Sequence, residues 1–275
     1  GFISASPVGR SSCVEALAQI ISSPSFNSFF GAGSRKVKRD FSEYFKEAIQ
    51  SGDLGMMAVA ATTLANKDLD FKSVVEDFSY LKPAQDKLRL PKEIETWNSM
   101  QAAINYFNGT TSEETRKPAY NHPIDWRIVG EVTENTRAIL RVGGEEISLQ
   151  FFPTAAPGSV ANFVQLARSG YFDGKNFHRV IANFVAQGGC SRGDGYGGLN
   201  YSIRSELPQI YYNDEGFVGM ASAGNHTEST QFFITFSPTP HLDGNYTIFA
   251  KVDKGMDRVH KLQMGDVIEK VMIRN

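Results

Sequence analysis

Apolar residues in the first hundred positions recur at the spacing of amphipathic helices. Residues 35–50 show this most clearly, since their apolar side chains form one stripe and most other positions are charged or polar. The stripe consists of Phe41, Tyr44, Phe45, Ala48 and Ile49. A stripe with this period is typical of a helix with one buried face. Similar stripes predict further helices at residues 11–23, 54–66, 71–82 and 91–108.

Polar and proline residues mark the ends of these helices. Asp53 and Asp70 are suited to cap the third and fourth helices. Pro83 is expected to end or bend the fourth, and Pro91 to open the fifth. The pattern predicts an all-α domain, either a small bundle or a fragment of a HEAT-like or armadillo-like solenoid. Such a domain would dock a protein partner or act as a spacer.

Beyond residue 125 the pattern changes to alternating or β-branched runs separated by turn residues. Strands are predicted at residues 126–132, 136–142, 145–152, 177–181, 184–188, 217–221, 231–236, 246–252 and 267–273. Helices are predicted at residues 155–170 and 255–264. Many short strands with two helices favour a closed antiparallel β-barrel.

The change of pattern divides the chain into two domains. Residues 109–123 are polar, contain two prolines and are typical of a linker. The predicted organisation is a disordered or artificially cut start at 1–10, a helical domain at 11–108, a linker at 109–125 and a β-domain at 126–275. The first residues lack the pattern of a targeting signal, so we expect a natural start to be missing.

Composition excludes several classes of function. A net charge of −2 gives no electrostatic footprint for nucleic acid, and no apolar run is long enough to span a bilayer. Cys13 and Cys190 lie in different halves and belong to no CxxC pair, so no disulfide framework is predicted. His226, His241 and His260 lack the spacing of metal ligands. Neither a metal nor a cofactor is therefore expected.

One charged residue stands out in the β-domain. Residues 177–189, FHRVIANFVAQGG, place Arg179 among apolar neighbours. A guanidinium cannot lose its proton there, so it needs an acceptor from the protein or from a ligand. Taken alone, such an arginine more often pairs with a carboxylate in a structural role. Its neighbour His178 is expected to be a core histidine bonded to the backbone, and the glycine-rich residues 193–198 a mobile loop.

Three later segments change the interpretation of Arg179. They are FVGMASAG at 217–224, TQFFITFS at 230–237 and HLDGNYTIFAKV at 241–252. Together with 177–189 they resemble the cyclophilins, a family of peptidyl-prolyl cis-trans isomerases, over about residues 134–275. The resemblance implies an eight-stranded antiparallel barrel capped by two helices and an isomerase without a cofactor. The run at 126–132 would then be an additional strand.

The resemblance also implies a site. Arg179 would donate a hydrogen bond to the twisted amide, and Gln187 and Gln231 would orient it and contact the substrate. Gln187 and Phe184 are the other residues implied to be catalytic. The residues implied to bind substrate are Val185, Ala221, Ser222, Gln231, Phe233, His241, Leu242 and Tyr246. Ala221 and Ser222 would act through their backbones. The partners implied are proline-containing peptides and unfolded client proteins.

Four of these positions depart from the commonest pattern of the family. Val185 stands in place of a methionine, Ser222 of an asparagine, His241 of a tryptophan and Tyr246 of a histidine. In the family that tryptophan donates its indole N–H to the macrocyclic inhibitor cyclosporin. We therefore expect weak inhibition by cyclosporin.

A second hypothesis remains open on the sequence alone. The barrel would hold proline peptides without catalysis while the helical half docks a partner. The presence of Arg179 with Phe184, Gln187 and Phe233 favours the enzyme. A chain cut from a longer exported protein would suit a bacterial cell envelope or periplasm.

Overall fold

A computed structural model describes residues 6–110 and 122–275 of the chain. Two compact units divide between Arg116 and Lys117. The predicted disorder of residues 1–5 and the predicted linker character of residues 111–121 fall outside the described residues.

The first unit is helical, as predicted. Its helices are α1 (Pro7–Ser22), α2 (Phe26–Phe30), α3 (Ser34–Gln50), α4 (Leu54–Leu64), α5 (Leu81–Gln85) and α6 (Ile94–Asn108). Short 3₁₀ turns lie at Gly31–Gly33, Lys67–Leu69 and Phe71–Ser73. The HEAT-like or armadillo-like character of this unit stays a prediction.

Asp53 fulfils its predicted role at the start of α4. Its Oδ1 accepts the Met56 N–H at 3.2 Å, and its Oδ2 accepts from Arg10 Nη2 at 2.9 Å. The predicted stripe of α3 contributes the fully buried Phe45 and Ala48 to the core of this unit. One carboxylate thus both caps α4 and ties α1 to it.

Four predicted helix boundaries were wrong. Residues 7–10 are not a disordered start, because α1 begins at Pro7 and the Ser6 hydroxyl accepts the Gly9 N–H at 3.1 Å. No helix runs from Asp70, whose left-handed backbone (φ 46°) leads only into a 3₁₀ turn. Pro83 lies inside the first turn of α5, where its missing N–H costs nothing. The last helix starts at Ile94 rather than at Pro91.

The second unit contains an eight-stranded antiparallel sheet, which confirms the predicted fold class. Its elements are α7 (Trp126–Glu131), β1 (Arg137–Val142), β2 (Glu145–Phe151), α8 (Pro157–Arg168), β3 (Phe177–Ile181), β4 (Val185–Gly188), β5 (Phe217–Met220), β6 (Phe232–Thr235), β7 (Ile248–Lys254), α9 (Met256–Val259) and β8 (Ile268–Arg274). The strand order is β3-β4-β6-β5-β7-β2-β1-β8.

Backbone hydrogen bonds join the two ends of this sheet next to strands β3 and β8. The Phe177 N–H donates to the Asp266 carbonyl at 2.9 Å, and the Ile268 N–H donates to the Lys175 carbonyl at 2.7 Å. The interior is apolar and aromatic: Phe163 of α8 contacts Phe172, Phe232 and Phe249 with ring centroids 4.7–5.4 Å apart. Helix α8 therefore closes the core of the barrel.

The predicted strand at 126–132 is a helix. Asp125 caps α7 by accepting the N–H groups of Arg127 and Ile128 at 3.0 and 3.4 Å, and this cap outweighs the β-branched composition of the segment. Ile128 and the buried Val132 pack on the barrel core. The segment is part of the barrel unit in a different conformation from the one predicted.

Residues 122–125 also pack against the barrel, whereas a solvated linker was predicted there. The His122 ring stacks on Tyr201 with centroids 4.1 Å apart, and the His122 N–H donates to the Ser202 carbonyl at 3.2 Å.

Among the described residues, no helix combines the length and the apolar composition that crossing a membrane requires.

Candidate active site

Strands β3 and β4 place Arg179 directly opposite Gln187 in the sheet register. The Arg179 side chain is exposed, and its Nη1 lies 3.5 Å from Oε1 of Gln187. Its guanidinium carbon lies 5.6 Å from the centre of the Phe184 ring. These partners, an amide oxygen and an aromatic face, leave the cation with N–H groups directed to solvent.

Two glutamine side chains continue from Arg179 into the protein. Nε2 of Gln187 donates to Oε1 of Gln231 at 3.0 Å. Nε2 of Gln231 in turn donates to the carbonyls of Gly195 and Gly197 at 2.7 and 3.0 Å. Because an amide nitrogen only donates and an amide oxygen only accepts, this series orients both glutamines. The oxygen of Gln187 is the atom left to face Arg179.

The predicted apolar residues form one cluster beside this arginine. The structure brings together Phe184, Val185, Ala221, Phe233, Leu242 and Tyr246, along with Phe152, Ile210, Tyr212, Phe217 and Ile248. Phe233 and Tyr246 meet edge to face with ring centroids 5.8 Å apart. A cluster of this size with partly exposed members offers a binding surface for an apolar ring.

His241 lies at the rim of the cluster. Its exposed imidazole stacks on Phe184 with centroids 5.3 Å apart and planes 27° apart. Phe184 thus has Arg179 near its ring and His241 stacked on it. A histidine at this position adds a flat polar ring to the rim.

Ala221 and Ser222 follow β5 and lie beside the start of β6. The Ala221 N–H donates to the Gln231 carbonyl at 3.0 Å. That N–H is used within the protein, so a contact from Ala221 to a bound peptide has to come from its carbonyl oxygen. Ser222 is half-buried next to it.

Tyr212 is a residue of this region that the sequence did not indicate. It is fully buried, stacks on Phe233 with centroids 5.8 Å apart, and donates its hydroxyl to the Tyr246 carbonyl at 3.4 Å. Burial raises the pKa of Tyr212 well above its ordinary value, so the hydroxyl remains a donor. Tyr212 therefore holds Phe233 and Tyr246 in place from the buried side of the cluster.

Gly219 makes room for this tyrosine. A Cβ at that position would lie 2.2 Å from the Tyr212 hydroxyl and 2.4 Å from the Phe233 ring. A glycine inside a predicted strand was the available signal, since it often marks a close approach by another group. The sequence does not say which group approaches.

His178, next to Arg179, is partly buried and electrically neutral near pH 7. Burial lowers the pKa of its imidazole to about 4, because desolvation disfavours the charged ring. A hydrogen bond with the Asn176 backbone, of the kind predicted from the sequence, acts to raise this pKa but does not cancel the effect of burial. The residue therefore adds no charge beside Arg179.

The described residues contain no group of three or more His, Cys, Asp or Glu side chains that is arranged to hold a metal ion. The site as built consists of a cationic hydrogen-bond donor, two glutamines that orient it and an adjacent apolar surface. This arrangement suits the binding of an apolar ring and the stabilisation of a nearby lone pair.

Comparison with known proteins identifies the second unit. Residues 138–275 match the sequence model of the family described as cyclophilin type peptidyl-prolyl cis-trans isomerase/CLD. Peptidyl-prolyl cis-trans isomerase B of Bacillus subtilis is 44% identical over 131 residues, which cover 47% of this chain and 92% of that protein. The peptidyl-prolyl cis-trans isomerase of Synechococcus elongatus is 45% identical over 144 residues, which cover 50% of this chain and 96% of that protein.

The chain is also similar to a solved structure. The crystal structure of a Cryptosporidium parvum cyclophilin type peptidyl-prolyl cis-trans isomerase, in the presence of the dipeptide ala-pro, has a TM-score of 0.48 and 28% sequence identity. The match covers 50% of this chain and 99% of that chain. The family match and the two bacterial relatives confirm the predicted class of enzyme: this chain belongs to the cyclophilin-type peptidyl-prolyl cis-trans isomerase family.

Proposed function

We propose that the barrel unit accelerates rotation about X-Pro bonds in peptides and unfolded proteins. The proline ring binds the apolar cluster, and Arg179 donates a hydrogen bond to the amide nitrogen as the bond twists. One observation carries this proposal: the exposed guanidinium of Arg179 is held beside the cluster by Gln187 and Phe184. Its charge-assisted donors are thereby available to a ligand.

The reaction requires little more than a hydrogen-bond donor beside an apolar binding surface. A planar peptide bond is stabilised by resonance, and the barrier to rotation is about 18–20 kcal/mol. At the twisted geometry the nitrogen regains a lone pair that accepts a hydrogen bond. A donor that meets this lone pair only in the transition state lowers the barrier without binding the ground state more tightly. No nucleophile or proton transfer is needed.

The apolar surface supplies the complementary part. A proline ring has no N–H to satisfy, so burying it against Phe233, Leu242 and Tyr246 costs no hydrogen bond. Binding the ring holds one side of the amide while the chain before it rotates. The Ala221 N–H is already bonded to the Gln231 carbonyl, so an anchor for that chain at Ala221 has to be its carbonyl oxygen.

The test is the exchange rate of a short Xaa-Pro peptide. Two-dimensional exchange NMR measures cis/trans interconversion in the presence of substoichiometric protein. Interconversion is expected to become much faster than the tens to hundreds of seconds of the free peptide. Binding of the peptide, seen as chemical-shift changes, with unchanged interconversion would overturn the enzyme and support the non-catalytic binding module.

A further inference from the structure

The backbone at Gly195–Gly197 is held between two side chains from different parts of the barrel. On one side the sulfur of Cys190 accepts the N–H groups of Gly195 and Gly197, each at 3.2 Å. On the other side Gln231 donates to the carbonyls of the same two glycines. Each of the two glycines is therefore held at both its N–H and its carbonyl, although a mobile loop was predicted here.

Cys190 is itself closely surrounded. The residue is 1% exposed, and its sulfur lies 3.9 Å from Oδ1 of Asp194. Asp194 accepts the Tyr196 N–H at 3.1 Å and pairs with Arg192 at 2.9 Å. The thiol thus accepts two backbone N–H groups and has a buried carboxylate in reach of its own hydrogen.

Gly197 packs closely against the two residues that follow Cys190. A Cβ on Gly197 would lie 2.5 Å from the Ser191 hydroxyl and 2.7 Å from the Arg192 backbone nitrogen. The underside of the loop faces His178, whose ring lies 3.5 Å from a Cβ built on Gly195. Gly197 has no Cβ to obstruct this approach, and the left-handed backbone of Gly195 (φ 90°) favours glycine there.

The positions of the glycine carbonyls affect the orientation of Arg179 through the two glutamines. Both hydrogens of the Gln231 Nε2 group are committed to the glycine carbonyls, so its oxygen must face Gln187. Gln187 then presents its own oxygen to Arg179. If the glycine carbonyls moved away, both amides would be free to flip, and Gln187 would present N–H groups to a guanidinium that also only donates.

We propose that Cys190 is a positioning residue for the isomerase reaction. Its sulfur holds the Gly195–Gly197 backbone in the place where it orients Gln231, then Gln187, and finally the guanidinium of Arg179. The inference rests on the proposed function, because it assigns Cys190 a role through Arg179. It extends that function to a residue that touches neither the peptide nor the arginine.

The test compares Cys190→Ala, which removes the acceptor, with Cys190→Ser, which keeps one. Cys13→Ala is the matched control, because Cys13 is the exposed thiol of the helical unit. For Cys190→Ala we expect kcat to fall about three- to tenfold, as for the loss of one hydrogen bond, with KM unchanged. Cys190→Ser should recover part of the loss, and Cys13→Ala should match the parent. If Cys190→Ala does not fold, Cys190→Val keeps the buried volume without the acceptor.

A second readout separates positioning from general destabilisation. The side-chain amide hydrogens of Gln231 should be protected from solvent exchange in the parent and should exchange faster in Cys190→Ala. In a Gln231→Leu background, Cys190→Ala should lower kcat no further, since the intermediate residue is gone. A folded Cys190→Ala protein with parental kcat and parental protection of Gln231 would overturn the proposal. Parental activity of Arg179→Ala would instead overturn the proposed function.

Discussion

Nε2 of Gln187 donates to Oε1 of Gln231 at 3.0 Å, and this bond settles which atom of Gln187 faces Arg179. Gln187 lies on β4, and Gln231 lies directly before the neighbouring strand β6. The pairing of these two strands therefore sets the distance between the two glutamines. The oxygen of Gln187 accepts from Arg179 at 3.5 Å. The orientation of the Arg179 guanidinium therefore depends on the uncharged side chain of Gln187.

Replacing Gln187 by leucine should lower the rate of catalysis. The substitution removes the acceptor that orients Arg179 while keeping a side chain of similar volume. We expect kcat to fall about two- to twelvefold, equivalent to about 0.5–1.5 kcal/mol, because the lost hydrogen bond is long and exposed although its donor is charged. Exchange NMR on an Xaa-Pro peptide measures the change, and circular dichroism checks the fold. Parental kcat in the folded variant would show that Arg179 needs no help from Gln187.

The buried His178 should make stability depend on pH. The unfolded chain binds a proton at this histidine near pH 6.5, whereas the folded chain does so only near its lowered pKa of about 4. The stabilising contribution is thus fully present above about pH 6.5 and is lost as the pH falls to about 4. The loss should amount to about 2–3 kcal/mol. Urea unfolding at a series of pH values measures it.

Replacing His178 by phenylalanine is the control for that prediction, since it should remove this part of the pH dependence. Glu228 provides a contrast of opposite sign, because burial raises the pKa of its carboxyl group. Its contribution falls as the pH rises above about 4.5, the value of an unperturbed glutamate. Identical slopes between pH 4 and 6.5 in the parent and in His178→Phe would refute the assignment.

The barrel unit should fold alone, and α7 should add to its stability. A fragment from about Pro123 keeps Ile128 and Val132 on the core and the 2.7 Å ion pair of Glu131 with Arg168. A fragment from Thr133 loses these contacts. We expect the shorter fragment to be less stable by about 2–4 kcal/mol, from the apolar area that is exposed. Chemical unfolding of both fragments measures the difference, and equal stabilities would contradict it.

Cyclosporin should inhibit this protein weakly. The family resemblance places His241 where the inhibitor usually meets a tryptophan, and the exposed imidazole stacked on Phe184 offers less apolar area. The cost should be about 1–3 kcal/mol, or a factor of roughly 5 to 150 in affinity. A titration of isomerase activity measures it, with His241→Trp as the variant that should recover part of the affinity. Tight inhibition of the unmodified protein would refute the prediction.

Most strands of the barrel could be predicted from alternation of apolar residues, since one face of each strand is buried. The segment at 126–132 could not, because its composition fits a strand and only the cap from Asp125 and packing on α8 decide for a helix. The helix predicted after Asp70 was also wrong. The backbone of Asp70 is left-handed and only a 3₁₀ turn follows it, which the apolar spacing of the segment does not indicate.

The candidate site was predictable to a different degree. Arg179 and its apolar neighbours were implied by the family resemblance, and the structure brings them together. Tyr212 was not predicted, because a tyrosine in a polar stretch has the same local signature as the exposed Tyr211 beside it. The role we assign to Cys190 depends on two backbone N–H groups five and seven residues away, and no local pattern reports where they point.

The role of Arg179 is tested most directly by the cis/trans exchange rate of an Xaa-Pro peptide with the folded Arg179→Ala variant. We predict that kcat falls by about 10²–10³, as for removal of one preorganised donor from a transition state, while peptide binding changes much less. Arg179→Lys keeps the charge without the planar fork of donors and should recover only part of the rate. An exchange rate near that of the parent in folded Arg179→Ala would contradict the account.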